Sequence, residues 1–249
     1  KGAEDTCALV LAASRGSELG ELTEHQPKTM VKVQGTPILA HIADAYNAVG
    51  IKDIVVVRGY KKEAVNLPNL TYVDNDEYAQ TGELASLLKA LQSRKGRAQH
   101  TIISYGDVLF NKYIPQSLCQ EEDDCVIFLD SNWREETSYA RLGGYAECTV
   151  PNSRRAFNAK VYLKQLGGEI PESSIHGVWM GFLKVSPTAS KLITEVITEL
   201  LALPGNRKAG IPHLLQELLK RKQPIRVLYT VGHWLDINSL EDVVQAGDF

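Results

Sequence analysis

The sequence predicts an α/β fold whose doubly wound, mostly parallel (Rossmann-like) sheet carries an antiparallel insertion. Strand-like apolar runs alternate with helical segments over the first half of the 249 residues, as in repeated βαβ units. Ile54–Val57 is a continuous β-branched run, which is typical of a strand buried on both faces of a parallel sheet. From Asp130 this alternation stops, and residues 139–149 and 156–163 look like antiparallel strands without helices between them.

The elements of the first half follow from apolar runs and from residues that begin or end helices. Pro37 stands at the first position of a predicted helix that runs to Val49, and Gly50 lies just beyond its end. Further helices are predicted at Lys61–Val65, Glu83–Gln92 and Asn111–Gln120, and strands at Cys7–Leu11, Ile54–Val57, Leu70–Val73, Thr101–Tyr105 and Cys125–Leu129.

The second half ends in helices again. Ser239, with Asp242 three residues later, opens the last helix in a capping-box pattern. No repeat or linker divides the chain, so we expect one domain over 1–249 with an insertion at about 130–186, and this domain can be one module of a longer polypeptide. The other elements are predicted strands at Val178–Val185 and Ile225–Thr230 and helices at Pro187–Leu203 and Ile211–Lys220.

Composition indicates a soluble cytoplasmic enzyme. The hydrophobic content of 44% is ordinary for a globular protein, and the net charge of −3 argues against nucleic acid or an anionic membrane as the main partner. No apolar run is long enough to cross a membrane, and the first ten residues lack a signal-peptide pattern. The four cysteines form no CxxC pair, so we expect free thiols in a reducing compartment and no zinc site.

The segment Leu11–Met30, LAASRGSELGELTEHQPKTM, is the most informative stretch for function. Small residues directly after a first strand let backbone N–H groups approach a polyphosphate, and a lysine delivered by the same loop meets its charge. Lys28 is therefore the predicted catalytic cation. The predicted nucleotide-binding residues of this loop are Ala12, Ala13, Ser14, Arg15 and Gly16.

This segment resembles the N-terminal signature of nucleotidyltransferases, LAAGxGxRLxxLTxxxPKxLxxVxGKP, and the match continues through Val33–Pro37. Ser14 replaces the first glycine of the signature. Glu18 stands where the family has an arginine that contacts the triphosphate, so we expect Glu18 to turn to solvent or to pair with a nearby base. Arg15 can supply the missing charge.

The same resemblance implies a Mg²⁺ site. Asp107 follows the strand Thr101–Ser104, where the family's aspartate binds the catalytic magnesium. Asp236, in the segment HWLDIN, resembles the late acidic residue that supplies the second protein ligand. Two carboxylates with phosphate oxygens and water suit Mg²⁺. Read without the resemblance, Asp107 is a turn aspartate and Asp236 a cap near the last helix.

The base site is predicted at Asn75–Leu87, which resembles the family element NxxYxxTGxxxSL. Gly82 lets a base approach the backbone, and Gln80 or Ser86 can hydrogen-bond to its edge. Ser86 can equally cap or pack within its own helix.

Overall, the chain resembles the small cytidylyltransferases that act on 2-aminoethylphosphonate and phosphocholine. The resemblance implies attack of a phosphonate or phosphate oxygen on the α-phosphorus of CTP. The implied partners are CTP and a small acceptor, with a fused catalytic domain or a homodimer as further options. Lys160 and Lys164 are candidates for a second cationic group, with two solvated lysines as the alternative. The predicted acceptor-binding residues are Trp133, Tyr139 and Trp179, the last in a segment like the family's GxWxGxxKxS.

The acceptor's head group remains open at the level of sequence. A quaternary ammonium needs an aromatic cage, whereas a primary ammonium needs carboxylates or hydroxyls. The insertion offers both, and we favour 2-aminoethylphosphonate over phosphocholine. The alternatives are a sugar-1-phosphate nucleotidyltransferase and a catalytically inactive nucleotide-binding regulatory module. A dinucleotide-binding domain is disfavoured because no GxGxxG follows the first strand.

Overall fold

A nine-stranded mixed sheet forms the centre of the computed structural model, which describes residues 2–135, 144–156 and 158–248. Two short two-stranded sheets flank it. In chain order the strands are β1 Thr6–Ala12, β2 Lys32–Val33, β3 Thr36–Pro37, β4 Asp53–Arg58, β5 Thr71–Asp74, β6 His100–Tyr105, β7 Val108–Phe110, β8 Cys125–Asp130, β9 Tyr145–Cys148, β10 Val161–Leu166, β11 Gly177–Val185, β12 Arg226–Thr230 and β13 Trp234–Asp236.

The strand order is β5-β4-β1-β6-β11-β8-β12-β10-β9. Strands β5, β4, β1 and β6 pair in parallel, and so do β8 and β12. β11 runs antiparallel between β6 and β8, and β10 runs antiparallel between β12 and β9. The chain moves outward from β1 to β4 and β5, then returns to the other side of β1 as β6. This reversal creates a crevice at the carboxyl ends of β1 and β6, where open α/β sheets bind ligands.

Six α-helices are described, and two of them begin at caps that the sequence encodes. Ser186 accepts a hydrogen bond from the Ala189 N–H, and Ser239 accepts one from the Asp242 N–H. The helices are α1 Ile38–Ala48, α2 Glu83–Ser93, α3 Tyr113–Cys119, α4 Pro187–Leu201, α5 Ile211–Lys220 and α6 Leu240–Gln245. None of the helices in the described ranges is both long and apolar enough to span a membrane.

The core lies on both faces of the central strands, and β11 is buried along its whole length. Trp179 on β11 is fully buried, its indole N–H donates to the Phe182 carbonyl at 2.9 Å, and its ring meets the edge of Tyr105. The predicted acceptor wall is therefore corrected: Trp179 is a core residue, because its polar atom is satisfied internally and its ring has no exposed face.

The predicted α/β fold is confirmed, and the differences are local. The first helix begins at Ile38 because Thr36–Pro37 pairs with Lys32–Val33. The helix predicted at Lys61–Val65 is a single 3₁₀ turn, Lys62–Ala64. Of the strand predicted at 139–149, the structure shows Tyr145–Cys148, and residues 136–143 lie outside the described residues. The strand predicted at 156–163 lies later, at Val161–Leu166.

All four cysteines are free thiols. Burial raises the pKa of Cys7 and Cys125 to about 12 and that of Cys148 to about 11, so these three remain protonated at neutral pH. The buried ammonium of Lys184 donates to main-chain carbonyls of Leu118 and Glu121. It therefore serves the carboxyl end of α3 as a structural cation.

We expect Trp179→Ala to lower the free energy of unfolding by ~3–5 kcal/mol, since truncating a fully buried aromatic leaves a cavity in the core. Trp179→Phe should lose less, because a ring still packs against Tyr105. Urea unfolding of the two variants and the wild type measures both differences. An alanine variant as stable as the wild type would show that the ring does not support the core.

Candidate functional site

The candidate site is a cleft of about 160 Å³ at the carboxyl ends of β1 and β6. It lies at the reversal of strand order described above, and the N-terminal turn of α2 forms its far wall. Its lining combines main chain of the loop after β1 with polar side chains of α2 and of the β6–β7 turn. The lining residues are Leu11, Ala12, Ala13, Ser14, Lys28, Thr29, Asn75, Tyr78, Thr81, Gly82, Glu83, Ser86, Tyr105, Gly106 and Asp107.

Lys28 is held in the cleft by its backbone and by a glycine. Its N–H donates to the Arg15 carbonyl at 3.1 Å, and its side chain is only 3% exposed. Gly16 has φ +74°, and a Cβ there would come within 2.6 Å of the Lys28 Cβ. Only glycine therefore fits at position 16, both for its left-handed backbone and for the lysine stem that crosses it.

The Lys28 ammonium donates to three acceptors from distant parts of the chain. These are Glu18 Oε1 at 2.5 Å, Asp107 Oδ2 at 3.0 Å and Asn238 Oδ1 at 3.4 Å. The Asn238 amide donates in turn to Asp236 Oδ2 at 2.8 Å. Of the two outcomes expected for Glu18, the structure thus shows pairing with a base, and that base is Lys28.

Asp107 and Asp236 are brought together by the small sheet of β7 and β13. Asp236 pairs in register with Val108, and the Ile237 N–H donates to the Asp107 carbonyl at 3.0 Å. Within the described residues no group of three or more His, Cys, Asp or Glu side chains forms a metal site. Two carboxylates are nevertheless hard oxygen donors that suit Mg²⁺ when substrate phosphates complete its shell. The two aspartates therefore have the chemistry of Mg²⁺ ligands.

Asn75 organises the side of the cleft next to α2. Its amide donates to Thr81 Oγ1 at 3.1 Å and to Ser86 Oγ at 3.0 Å, while its oxygen accepts the Glu77 N–H at 3.1 Å. Ser86 is buried and lines the cleft, and its contact with a nucleotide base stays a prediction. Its hydroxyl is held by Asn75, which sequence reasoning did not select as a site residue.

Gly82 lines the cleft, but its lack of a side chain has a structural reason. A Cβ at this position would lie 2.5 Å from the Lys208 carbonyl oxygen and 2.9 Å from the Lys208 Cα. The turn before α5 therefore packs directly on Gly82. Contact between Gly82 and a base stays a prediction, because the glycine is already required by this backbone approach.

Several predicted residues do not line the cleft. Gln80 and Arg15 are exposed, and the Arg15 guanidinium lies 5.5 Å from the centre of the Tyr60 ring. Lys160, just before β10, and Lys164, on β10, are both exposed. Their role as a second cationic group stays a prediction. Tyr139 lies outside the described residues.

Trp133 lies on the insertion beside an aromatic partner. The Trp133 ring meets Tyr145 edge-on, with 5.2 Å between ring centres, and the Arg134 guanidinium lies 4.2 Å from the Trp133 ring centre. Arg134 also pairs with Glu172 at 3.4 Å. The predicted acceptor residue thus belongs to a partly exposed cluster of aromatic and charged side chains.

Besides Asn75, sequence reasoning missed two polar residues of the site, Asn238 and Glu83. Asn238 links Lys28 to Asp236, and its position two residues after Asp236 in HWLDIN was the available signal. Glu83 accepts the Tyr105 hydroxyl and the Ile211 N–H, both at 2.9 Å. These contacts join the cleft wall to the start of α5, and no local sequence pattern marks either of them.

Comparison with known proteins agrees with this geometry. The chain is 30% identical over 257 residues to a CTP:phosphoglutamine cytidylyltransferase of Campylobacter jejuni, an alignment that covers 95% of this chain and 97% of that protein. Alignments to three other curated relatives span 57%, 18% and 38% of their lengths. The last of these is a 2-aminoethylphosphonate cytidylyltransferase of Lancefieldella rimae, which is 33% identical over 94 residues in an alignment that covers 36% of this chain.

A solved structure supports the fold independently. The CTP:phosphocholine cytidylyltransferase of Streptococcus pneumoniae superposes with a TM-score of 0.73 at 18% identity, and the match covers 98% of each chain. The family model described as the MobA-like NTP transferase domain matches residues 8–224, which contain Lys28 and Asp107. Enzymes of this kind typically use a divalent metal. The chain therefore belongs to the family of MobA-like NTP transferase domains.

Proposed function

We propose that this protein transfers CMP from CTP to a phosphonate oxygen of 2-aminoethylphosphonate, giving CMP-2-aminoethylphosphonate and pyrophosphate. The observation that carries the proposal is the placement of the Lys28 ammonium, 3.0 Å from Asp107 and linked through Asn238 to Asp236, in the cleft at the ends of β1 and β6. Two relatives whose names say cytidylyltransferase, one with phosphoglutamine and one with 2-aminoethylphosphonate as the acceptor, support the proposal.

The proposed reaction is a displacement at the α-phosphorus of CTP. An acceptor phosphonate oxygen forms a new bond to that phosphorus, and the bond from the α-phosphorus to the bridging oxygen breaks. Pyrophosphate leaves with the electron pair. The attacking oxygen is already anionic near pH 7, so no general base is needed, and catalysis rests on positioning and on neutralising phosphate charge.

Lys28 is proposed to stabilise the negative charge that develops on the phosphates. Its side chain is desolvated, so a bond from its ammonium to a phosphate oxygen is stronger than the same bond in water. Asp107 and Asp236 would hold Mg²⁺, which when bound neutralises phosphate charge and orients the triphosphate. The main chain of Ala12, Ala13 and Ser14 would approach the nucleotide across the opposite wall.

The nucleotide base is proposed to bind between Gly82 and the Asn75–Ser86 pair. Hydroxyl and amide groups there can accept the amino hydrogens of cytosine. A site built for these hydrogens leaves polar groups unpaired when the amine becomes a carbonyl, and this is the physical basis for preferring CTP to UTP.

The choice of 2-aminoethylphosphonate rests on the exposed carboxylates of the insertion. Glu135, Glu169 and Glu172 are exposed there and can accept hydrogen bonds from a primary ammonium. Asp130 does not count among them, because it is buried and its oxygens accept the Trp234 indole N–H at 2.7 Å and the Asn132 N–H at 2.8 Å.

Phosphocholine is the second candidate, and one contact favours it. The Trp133 ring already packs against a cation, the Arg134 guanidinium, and Tyr145 lies edge-on beside that ring. A trimethylammonium group is recognised by the same cation–π contact, since it has no hydrogen to donate.

A panel of nucleotides and acceptors tests the proposal. We expect CTP to exceed UTP by roughly ten- to a hundredfold in kcat/KM, from the cost of one unpaired buried group. With CTP as the nucleotide, the kcat/KM for 2-aminoethylphosphonate should be about ten- to a hundredfold higher than that for phosphocholine, for the same reason. Pyrophosphate release measured with four NTPs against 2-aminoethylphosphonate, phosphocholine and phosphoglutamine gives both ratios.

The variant Trp133→Ala serves as the control on the acceptor. If kcat/KM is higher for phosphocholine and Trp133→Ala abolishes this preference, phosphocholine would replace 2-aminoethylphosphonate as the proposed acceptor. Preference for phosphoglutamine would replace it with an amino-acid acceptor, and equal rates with CTP and UTP would remove the proposed base specificity.

We expect Asp107→Asn and Asp236→Asn each to raise the Mg²⁺ concentration needed for half-maximal rate, and the double variant to be inactive. The reason is that each variant removes one anionic oxygen ligand from the same ion. Initial rates across a Mg²⁺ titration measure this, with Asp44→Asn on α1 as a matched control remote from the cleft. An unchanged Mg²⁺ dependence in one single variant would remove that aspartate from the metal site.

We expect Lys28→Ala to lower turnover at least about a hundredfold, because removal of a charged donor to a developing phosphate charge typically costs ~3–4 kcal/mol. Lys32→Ala, an exposed lysine four residues away, should keep wild-type turnover. Steady-state rates with circular dichroism on both variants separate catalysis from folding. Near-normal turnover of a folded Lys28→Ala protein would exclude Lys28 from the reaction.

A further inference from the structure

Glu18 is an acidic residue that contacts Lys28 in the cleft proposed to bind a triphosphate. It lies in the 3₁₀ segment Ser17–Thr23, and its carboxylate contacts the Lys28 ammonium at 2.5 Å. A carboxylate there repels a triphosphate and occupies the cation that the triphosphate needs. The pair therefore has a consequence for nucleotide binding that the proposed reaction does not include.

The donors of Lys28 are fully used in this arrangement. A lysine ammonium has three N–H donors, and Lys28 directs them at Glu18, Asp107 and Asn238. A phosphate oxygen can receive a hydrogen bond from Lys28 only if one of these acceptors is released.

Two of the three acceptors are fixed from several sides. The Asp107 main-chain carbonyl accepts the Ile237 N–H, and the Asp107 side chain is 15% exposed. Asn238 is held through its own N–H to Asp242 at 2.8 Å and through its amide to Asp236. Releasing either would also disturb the two aspartates of the proposed metal site.

Glu18 is the acceptor that can leave. Its side chain is 39% exposed, so the carboxylate can exchange the ammonium for water. The segment around it is anchored by Leu19 and Thr23, which are buried, and by hydrogen bonds from Thr23 Oγ1 to the Gly16 and Gly20 carbonyls at 3.1 and 3.2 Å. A change in the Glu18 side chain alone therefore frees Lys28 without moving the loop.

We propose that Glu18 is a positioning residue that holds the Lys28 ammonium in the empty cleft and competes with the triphosphate for it. Binding of a triphosphate exchanges the carboxylate–ammonium bond for a phosphate–ammonium bond, and Glu18 turns to solvent. The carboxylate thus stabilises the empty protein and lowers its affinity for the triphosphate. The inference rests on the proposed function only in taking a triphosphate as the ligand of this cleft.

Binding of inorganic tripolyphosphate with Mg²⁺, measured by calorimetry without any acceptor, tests this directly. We expect Glu18→Gln and Glu18→Ala to bind it about three- to thirtyfold more tightly than the wild type, because the competing charge is gone. Glu18→Asp, which keeps the charge, should remain closer to the wild type than either. In the absence of ligand, Glu18→Gln should lower the unfolding temperature, since Lys28 loses one of its two anionic partners.

Two controls separate this effect from net charge. Glu21→Gln removes the same charge from an exposed residue of the same segment and should leave affinity within about twofold. In a Lys28→Ala background, Glu18→Gln should no longer tighten binding, because the carboxylate acts through that ammonium.

Three results would overturn the proposal: unchanged or weaker tripolyphosphate binding by Glu18→Gln, an equal gain in Glu21→Gln, or a gain that persists without Lys28. Failure of every variant and of the wild type to bind tripolyphosphate would overturn it as well. If tripolyphosphate binds as expected but CTP is not turned over with any acceptor, the proposed function fails while the role of Glu18 stands.

Discussion

The buried ammonium of Lys28 is the interaction on which the site depends. An ammonium that is 3% exposed is stable only when anionic or polar acceptors replace its water. Its acceptors come from the segment after β1, from the β6–β7 turn and from the second residue after β13, at positions 18, 107 and 238 of the chain. One charge thus fixes the relative position of three segments that carry the proposed triphosphate and metal contacts.

The sheet provides the frame for this arrangement. β1 and β6 are parallel neighbours, so Ala12 and the β6–β7 turn meet at one edge. β13 reaches the same edge only because it pairs with β7, which places Asp236 beside Val108. The antiparallel β11 passes behind Tyr105 and fills the core with Trp179. A substitution on β11 is therefore expected to act on the cleft through Tyr105, without contact to substrate.

The fold could be predicted from sequence because its signals are local. β-Branched runs, the proline and glycine at the ends of α1 and the Ser239 cap each act within a few residues. The family-like spacing also located Lys28 and Asp107. The pairing of Glu18 with Lys28 and the link through Asn238 depend on long-range packing, so no spacing could show them. Gly82 was interpreted as a contact to the nucleotide base, whereas close approach of the Lys208 backbone already requires a glycine there. The sequence cannot separate these two requirements, because both are met by glycine.

The charges around the cleft explain why a cation is needed beyond Lys28. Among the described residues, Glu18 and Asp107 contact the Lys28 ammonium, and Glu83 lines the same cleft. Asp236 lies one hydrogen bond beyond Asn238. A triphosphate adds several negative charges to this set, and one ammonium cannot balance them. In the proposed reaction, release of Glu18 to water would remove one repulsive charge, and a divalent ion held by Asp107 and Asp236 would turn two others into ligands. Glu83 is already engaged by Tyr105 and by the start of α5, so its charge is met by donors that the fold itself provides.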